Sequence, residues 1–320
     1  MFDNTINGDE NDNNLNGTKK SDKISGFEGN DILDGKKGND HLDGGADDDT
    51  LNGGKGNDVL IGGEGSDRLF GGKGKDKLIA TTGRELFDGG AGVDTVTYIK
   101  ADVGVTVQMN LPGGYGFGWA AHHTFNSVEI IIGSKFGDTI TGSTANETIK
   151  GGKGADTLGG WTGDDKLYGE KGDDSLIGGG GNDILRGGVG NDSLRGDTGN
   201  DKLFGDKGND TLNASAGNNL MKGGGGNDTL NVGTGNDEMW GGGSFDTFTF
   251  SGTWGKATIK DFDKAENDHI FFSGVVDDYQ EVFSSAKNKN GNVVITLDEG
   301  KIVIEDMTKG QLTEDMFLII

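Results

Sequence analysis

The chain has 320 residues, of which 64 are Gly and none is Cys, and its formal net charge at pH 7 is −24. The excess of acidic side chains argues against nucleic acid and anionic membranes as partners, because both would be repelled, and it favours cations. The absence of Cys excludes a disulfide framework.

The first residues, MFDNTINGDE, lack a basic segment followed by an apolar core, so we expect no N-terminal signal peptide. No apolar run in the sequence approaches membrane-spanning length, so we expect no membrane insertion.

A nine-residue repeat begins at Gly8 and runs in phase to Thr97, and it resumes at Gly133 and runs to Thr249. A typical copy is GGVGNDSLR (187–195), with Gly at positions 1 and 4, Asp at position 6 and an apolar residue at position 8. All 23 copies carry an apolar residue at position 8, and 19 carry Asp at position 6. Low hydrophobicity with high net charge is typical of disorder, but this strict period argues against it.

The spacing predicts a coil of 18 residues made from two repeats. Positions 7–9 form a very short strand whose middle side chain points inward, and positions 1–6 form a turn that Gly permits. Stacked coils would form two parallel sheets around a thin core. Asp residues 18 apart would then lie about 4.8 Å from each other and repel, so a cation must lie between them. Carboxylates and turn carbonyls form the hard oxygen cage that suits calcium.

The copies GGKGNDVLI (53–61), GGGGNDILR (178–186) and GGVGNDSLR (187–195) resemble the nonapeptides of the RTX, or hemolysin-type calcium-binding, family. The resemblance implies an all-β, calcium-bound parallel β-roll that is secreted by a type I system. We therefore predict a first RTX array at 1–97, an interrupting β-hairpin or loop insert at 98–132, a second array at 133–249, and a small β-rich C-terminal cap with the secretion signal at 250–320.

The expected calcium ligands are the Asp residues at position 6, which form 14 pairs at 18-residue spacing, six in the first array and eight in the second. Fourteen calcium ions would add about +28, close to cancelling the net charge. Caps of turns would be the alternative role for these side chains. The residues are Asp22, Asp31, Asp40, Asp49, Asp58, Asp67, Asp76, Asp94, Asp138, Asp156, Asp165, Asp174, Asp183, Asp192, Asp201, Asp210, Asp228, Asp237 and Asp246. Asn13, Glu85, Glu147 and Asn219 interrupt the spacing.

The insert at 98–132 contains Tyr115, Trp119, His122, His123 and Phe125, and the only proline, Pro112. Adjacent His side chains in a strand point to opposite faces, which disfavours zinc. We expect strands around 103–109 and 127–132, with aromatic side chains covering an open end of the roll. A ligand-binding loop is the alternative.

Position 9 faces solvent, and every second copy shares a sheet. One sheet of the second array thus presents Lys150, Tyr168, Arg186, Phe204, Lys222 and Trp240 in a row. This alternation predicts either a self-stabilising cation–π stack or a platform for an acidic polysaccharide. The platform would use Tyr168, Phe204 and Trp240 for sugar rings and the cations for uronate groups.

After residue 249 the pattern changes to ordinary alternation, which predicts strands in WGKATIKDFD, DHIFF, NVVITL and KIVIED and a short helix in DDYQEVFSSA. The segment resembles the cap that carries the uncleaved C-terminal secretion signal of RTX proteins. The tail TEDMFLII matches the end of such signals, or it is a C-terminal strand, or both.

We expect no catalytic residues, because the sequence contains no H-E-x-x-H, G-x-S-x-G or P-loop motif. The favoured function is a secreted, extracellular calcium-binding protein with a structural or surface role, its partners being calcium, the type I secretion apparatus and an acidic polysaccharide or cell surface. The alternative is an accessory module of an extracellular polysaccharide-modifying enzyme.

Overall fold

The computed structural model describes residues 2–109, the backbone of 115–118, and residues 123–320. Two compact units are present: the first ends at Thr157 and the second runs from Leu158 to Ile320. Pro112, Trp119 and His122 lie outside the described residues, and only the backbone of Tyr115 is described.

The first unit is built from short strands that follow the repeat. They are β1 (Asn4–Asn7), β2 (Asn14–Asn16), β3 (Asp22–Phe27), β4 (Ile32–Asp34), β5 (His41–Ala46), β6 (Thr50–Lys55), β7 (Val59–Glu64), β8 (Arg68–Gly74), β9 (Lys77–Ile79), β10 (Leu86–Gly92), β11 (Thr95–Thr97), β12 (Val105–Gln108), β13 (Tyr115–Gly118), β14 (Thr124–Asn126), β15 (Ile130–Ile132), β16 (Thr139–Thr141) and β17 (Thr148–Lys153).

Alternate strands of this unit pair in parallel on two faces. One sheet has the order β1-β3-β5-β7-β9-β11-β15-β17. The opposite face has the order β2-β4-β6-β8-β10-β14. A third, smaller group joins β12 in parallel to β16 and in antiparallel to β13.

The second unit continues the same plan and adds the cap. Its strands are β18 (Thr157–Thr162), β19 (Lys166–Lys171), β20 (Ser175–Gly180), β21 (Ile184–Val189), β22 (Ser193–Thr198), β23 (Lys202–Lys207), β24 (Thr211–Asn213), β25 (Leu220–Gly225), β26 (Thr229–Asn231), β27 (Asn236–Gly243), β28 (Thr247–Ser251), β29 (Lys256–Ile259), β30 (His269–Ser273), β31 (Lys287–Lys289), β32 (Asn292–Thr296), β33 (Lys301–Ile304) and β34 (Phe317–Ile319). The helix α1 spans Tyr279–Ser285, and short 3-10 turns lie at Lys264–Glu266, Lys309–Gln311 and Glu314–Met316.

One face of this unit is a parallel sheet with the order β19-β21-β23-β25-β27-β29-β33, and it is extended by the antiparallel strands β32 and β31. The opposite face has the order β18-β20-β22-β24-β26-β28-β30-β34. Partners in the repeats are 18 residues apart, as in Leu185↔Leu203 and Leu203↔Met221. The predicted all-β, parallel β-roll is confirmed.

In each unit the position-8 side chains of the two facing sheets form the core of the repeats. Leu33, Leu42 and Leu51 in the first unit and Leu185 and Leu203 in the second are all 0% exposed. Leu15 is half-buried, because it belongs to the first coil and has a neighbour on one side only.

The strands are longer than the sequence pattern predicted. Many run six residues, from position 7 through position 3 of the next repeat, as β21 and β23 do. The reason is that pairing continues past the Gly at position 1: Gly188 pairs with Asp206, and Val189 with Lys207.

Residues 124–132, which the sequence analysis placed in the insert, continue the coil. Phe125 in β14 pairs with Phe87, and Ile131 in β15 pairs with Val96. The period was hidden because only six residues separate Phe125 from Ile131, where successive position-8 residues are nine apart in the repeats, and because Glu129 stands at position 6 instead of Asp.

The cap strands and helix lie where the sequence predicted them, and they add coils to both faces of the second unit. β29 and β33 extend one sheet, and β30 and β34 extend the other. Within the described residues, no helix is long and apolar enough to cross a membrane.

We expect Leu203→Ala to lower the free energy of unfolding of the calcium-loaded protein by about 2–5 kcal/mol, because it opens a cavity in a core one side chain thick. The neighbouring exposed Lys202→Ala should change it by less than about 0.5 kcal/mol. Denaturant unfolding followed by circular dichroism measures both, and equal effects of the two variants would contradict the assigned core.

Candidate metal centre

The 19 position-6 Asp side chains lie in the turns and are all buried, with at most 2% of each residue exposed. Burial of so many carboxylates in a protein with a thin core is energetically unfavourable unless each charge is compensated. Their contacts therefore decide what the turns can bind.

Each Asp uses one oxygen to join two coils. The backbone N–H of Asp192 donates to Oδ1 of Asp210 at 2.8 Å, and the N–H of Asp210 donates to Oδ1 of Asp228 at 2.8 Å. The other oxygen, Oδ2, is buried and accepts no hydrogen bond in the described part of the chain. This holds for Asp31, Asp40, Asp49, Asp58, Asp67, Asp76, Asp94, Asp183, Asp192, Asp201, Asp210, Asp228, Asp237 and Asp246.

Each Oδ2 lies in a small space that the position-1 glycine leaves open because it has no side chain; we call this space the glycine cradle. A Cβ atom on Gly71 would lie 2.6 Å from Oδ2 of Asp76 and 2.7 Å from the carbonyl oxygen of Gly89 in the next coil. A side chain there would clash with both oxygens. Gly at position 1 thus keeps a carboxylate oxygen and a backbone carbonyl close to the same small space.

Burial raises the pKa of these carboxyls. The pKa rises to about 7 for Asp49, Asp58, Asp192 and Asp228, because burial and the charges of neighbouring Asp residues outweigh the backbone N–H that each Oδ1 accepts. A nearby cation would reverse this effect.

The described residues contain no group of three or more acidic, His or Cys side chains placed to hold a metal. A cation in these turns would therefore be held by carboxylates of two successive coils together with backbone carbonyls. Such a donor set consists of hard oxygen atoms, which fits calcium.

Comparison with known families decides the identity of the repeats. A family model described as RTX calcium-binding nonapeptide repeat (4 copies) matches residues 7–42, 25–60, 43–78, 61–96, 123–158, 132–166, 159–194, 186–221 and 213–248. The chain belongs to the RTX calcium-binding repeat family.

A similar solved structure is the crystal structure of the extracellular lipase LipA from Serratia marcescens, with 14% identity and a TM-score of 0.24. The match covers 99% of this chain and 40% of the lipase, so this RTX chain spans about two fifths of the length of that protein. No curated protein matches the chain.

A second row of hydrogen bonds, which was not predicted from the sequence, joins the Asn side chains at position 5 of the RTX repeats. The N–H of Asn200 donates to Oδ1 of Asn182 at 3.0 Å, and Asn218 and Asn236 repeat the contact at 2.9 Å. These bonds run from each coil to the preceding one, whereas the Asp bonds run to the following one. The signal was the Asn that precedes Asp in 9 of the 19 copies with Asp at position 6, and its side chain links the turns of successive coils.

Four position-6 carboxylates differ from the rest because a Ser or Thr stands at position 2 of their copy. The N–H of Thr18 donates to Oδ2 of Asp22 at 2.5 Å, and that of Ser134 to Oδ2 of Asp138 at 2.6 Å. Thr81 and Ser143 donate in the same way to Glu85 and Glu147. The protein itself thus satisfies these carboxylates, including two of the predicted calcium ligands.

Asn219 replaces Asp in a copy that also has Ala214 at position 1. Its Oδ1 accepts the N–H of Asp201 at 2.8 Å, and its Nδ2 donates to the carbonyl of Ala214 at 3.4 Å. An Asp here would place a charged oxygen in a turn that lacks the position-1 Gly found beside most position-6 Asp residues. The amide therefore keeps the ladder continuous without needing a cation.

His123 directly precedes β14, as Glu85 precedes β10 in the neighbouring coil. The two coils are joined there by the N–H of Thr124, which donates to the carbonyl of Glu85 at 2.9 Å. Its Nδ1 lies 3.0 Å from the hydroxyl of Tyr98, and its Nε2 lies 3.7 Å from Oε2 of Glu85. All three side chains are buried, and burial raises the pKa of Glu85 to about 7. His123 thus forms part of a buried polar core of the first unit.

The position-9 stripe of the second unit consists of Tyr168, Arg186, Phe204, Lys222 and Trp240. Register places each beside the next on one sheet. The Arg186 guanidinium lies 4.8 Å from the Phe204 ring centroid, and the Lys222 ammonium lies 4.6 Å from that of Trp240. Among the described contacts of the stripe, Arg186 with Phe204 and Lys222 with Trp240 are cation–π pairs, and Lys150 belongs to the first unit.

The calcium-free protein should be more stable in mild acid than at neutral pH. Unfolded Asp titrates near 3.8, while the folded pKa of Asp49, Asp58 and Asp192 is about 7. The folded state therefore binds more protons, and its stability falls as the pH rises from about 4 to about 7. Circular dichroism of chelator-treated protein should show more strand at about pH 5 than at about pH 8. More strand at the higher pH would be incompatible with the raised pKa values.

Converting the Asn219 copy to the common pattern should create calcium binding. We expect Ala214→Gly with Asn219→Asp to add roughly one or two Ca²⁺ per chain, because two new Asp–Asp pairs form with Asp201 and Asp237. The single variant Asn219→Asp is the matched control and should gain less, since the Ala214 methyl group remains. Equilibrium dialysis counts the ions, and an unchanged count in the double variant would contradict the account of this copy.

Proposed function

We propose that this chain is a secreted calcium-binding β-roll that folds when it meets calcium outside the cell and then acts as a structural or surface-binding protein. The observation that carries the proposal is the set of fourteen buried Oδ2 atoms that accept no hydrogen bond from the described residues. Calcium, when bound, supplies the positive charge that these oxygens lack.

The residues that would hold calcium are the paired Asp side chains of successive coils and the carbonyl oxygens of position 1. The pattern is represented in the second unit by Asp192, Asp210 and Asp228. Backbone N–H groups donate to Oδ1 of Asp210 and Asp228, and the Oδ2 atom of each of the three accepts no hydrogen bond from the described residues. The number of bound calcium ions would be close to the number of Asp–Asp pairs. Pairs in which a Ser or Thr already donates to the carboxylate would not be counted.

Charge explains why folding waits for calcium. The chain has a net charge of −24 and a thin core. Repulsion between stacked carboxylates therefore disfavours folding of the calcium-free chain. Extracellular calcium is close to the range of roughly 10⁻⁴–10⁻³ M at which extracellular modules bind it. Binding free energy there becomes folding free energy.

The tail supports export before folding. In the folded chain Phe317–Ile319 form β34, Phe317 is buried, and the N–H of Ile320 donates to the carbonyl of Phe272 at 3.1 Å. A type I apparatus that recognises this tail would have to do so while the chain is unfolded. Low cytosolic calcium would keep the tail accessible until export.

The position-9 stripe supports a polysaccharide-binding surface. Lys222 is exposed, and 46% of the Arg186 side chain is accessible. The Arg186 guanidinium lies over the Phe204 ring, and its Nη1 donates to Asp206 at 2.9 Å, which leaves its other N–H groups for a ligand. An acidic polysaccharide would present carboxylates to Arg186 and Lys222 and ring faces to the aromatic side chains. The stripe needs the folded roll, so binding would depend on calcium.

The test is retention of the calcium-loaded chain on immobilised bacterial and plant polysaccharides, with a chelator-treated sample beside it. We expect calcium-dependent retention on an acidic polysaccharide, and a loss of about tenfold in affinity when Tyr168, Phe204 and Trp240 are all replaced by Ser.

The control replaces Asn213, Asn231 and Thr249 by Ser, which are the position-9 residues of the opposite sheet, and it should bind as the unaltered chain does. Equal retention of both triple variants would refute the stripe as the binding surface. Failure to bind any polysaccharide would refute the surface role and leave calcium-dependent folding to be judged by the spectra.

A further inference from the structure

Two arginines of the first unit have no carboxylate partner, although the chain has 53 acidic side chains and only four Arg residues. The other two, Arg186 and Arg195, each lie 2.9 Å from an Asp carboxylate. Arg68 and Arg84 are exposed, and neither forms an ion pair within the described part of the chain. Their N–H groups are therefore available to a ligand.

Arg68 and Arg84 line the same cavity, whose volume is about 470 Å³. Small-molecule sites in proteins typically measure about 300–1,000 Å³. The cavity is therefore large enough for a ligand of the size of one sugar unit, with both guanidinium groups at its wall.

The repeat places the two arginines on neighbouring coils. Arg68 stands at position 7 and begins β8, where it pairs with Leu86 of β10. Arg84 stands at position 5 of the copy ATTGRELFD (80–88), two residues before Leu86. The N–H of Leu86 donates to the carbonyl of Asp67 at 2.9 Å, which joins the two coils. One guanidinium thus comes from a strand and the other from the turn of the next coil.

The carboxylates at the cavity do not neutralise these arginines. Oδ1 of Asp48 accepts the N–H of Ser66 at 2.7 Å, and Glu85 accepts the N–H of Thr81 at 3.0 Å. Glu85 and Asp67 are both buried. None of the three carboxylates forms an ion pair with either arginine, although all three line the cavity.

The groups around the cavity fit a carboxylate carried by a sugar ring. A guanidinium presents its N–H groups in a planar fork that matches the two oxygens of a carboxylate. The hydroxyls of Ser66 and Thr124 and the carboxylate of Asp48 can form hydrogen bonds with ring hydroxyls. Leu86 is half-buried and lies in register between Arg68 and Thr124, so it offers an apolar surface to the C–H face of a ring.

We propose that this cavity binds a sugar acid and that Arg68 and Arg84 bind its carboxylate. The ligand class rests on the polysaccharide-binding function proposed above, but the site lies in the first unit, whereas the position-9 stripe lies in the second. The copy 80–88 departs from the repeat, and that departure supplies Arg84 and Leu86 to the site.

A bare phosphate or sulfate ion fits the cavity less well than a sugar acid. Such an ion would be held by the guanidinium groups, but it would leave the hydroxyls and the apolar surface of Leu86 unused. The neutral sugar of the same shape would leave the two arginines unused. Both comparisons therefore belong in the test.

The test follows the Arg Nε–H signals of the isotope-labelled, calcium-loaded full chain by NMR during titration with galacturonate. We expect the signals of Arg68 and Arg84 to shift with one common dissociation constant, and neutral galactose to leave them in place. Shifts confined to Arg186 would overturn the cavity site and favour the stripe. Equal affinity for inorganic phosphate would overturn the assignment to a sugar acid.

Paired variants separate the cavity from the general effect of charge. Arg68→Gln combined with Arg84→Gln should weaken galacturonate binding by at least about tenfold, because charge-assisted hydrogen bonds are lost. The control, Lys55→Gln with Lys73→Gln, removes the same charge from exposed residues of the same sheet and should bind as the unaltered chain does. Equal losses in the two pairs would refute the site.

The failure of this site is distinguishable from the failure of the proposed function. Retention of the chain on an acidic polysaccharide, without galacturonate shifts at Arg68 and Arg84, would refute the cavity site alone. Absence of both retention and shifts would refute the polysaccharide-binding role as well.

Discussion

Repulsion between stacked carboxylates is the constraint on which this structure depends. A parallel coil of 18 residues places the Asp of one turn directly over the Asp of the next, about 4.8 Å away, and buries both. Oδ1 of these side chains accepts the backbone N–H of a neighbouring coil, while Oδ2 of fourteen of them accepts no hydrogen bond from the described residues. The buried charge of these turns is what a bound cation would compensate, in keeping with the calcium-binding repeat family to which the chain belongs.

The exceptions to the pattern follow from the same constraint. Where the chain has Ser or Thr at position 2, the protein supplies donors to the carboxylate, as with Thr18 and Asp22. Where it has Asn219, an amide replaces the charge. At the break in the first unit, an imidazole lies beside Glu85. The Ser and Thr donors and the Asn219 amide are two ways to satisfy a buried oxygen without a cation, and the imidazole 3.7 Å from Oε2 of Glu85 adds a polar neighbour to a carboxylate that Thr81 already contacts.

The period predicted most of the fold, because position 8 and position 6 have one role each in every coil: Leu203 must face inward and Asp210 must lie in a turn. The period could not predict contacts that depend on non-repeating residues. The shortened turn between Phe125 and Ile131, together with Glu129, hid a true coil. Four extra residues before Asp268 hid the last rung of the ladder, where the N–H of Asp246 donates to Oδ1 of Asp268. His123 was visible as a residue type, but its contact with Tyr98 depends on how the insert returns to the stack. Asn at position 5 was visible and its ladder could have been deduced.

The two-repeat coil also limits how the length of such a protein can change. Phe204 and Lys222 share a sheet because 18 residues separate them. Loss or duplication of a single nonapeptide between them would leave the core column intact, since position 8 remains apolar, but it would move every later residue to the opposite face. Any surface built along one sheet would be cut at that point. Gene rearrangements that preserve such a surface must therefore add or remove repeats in pairs.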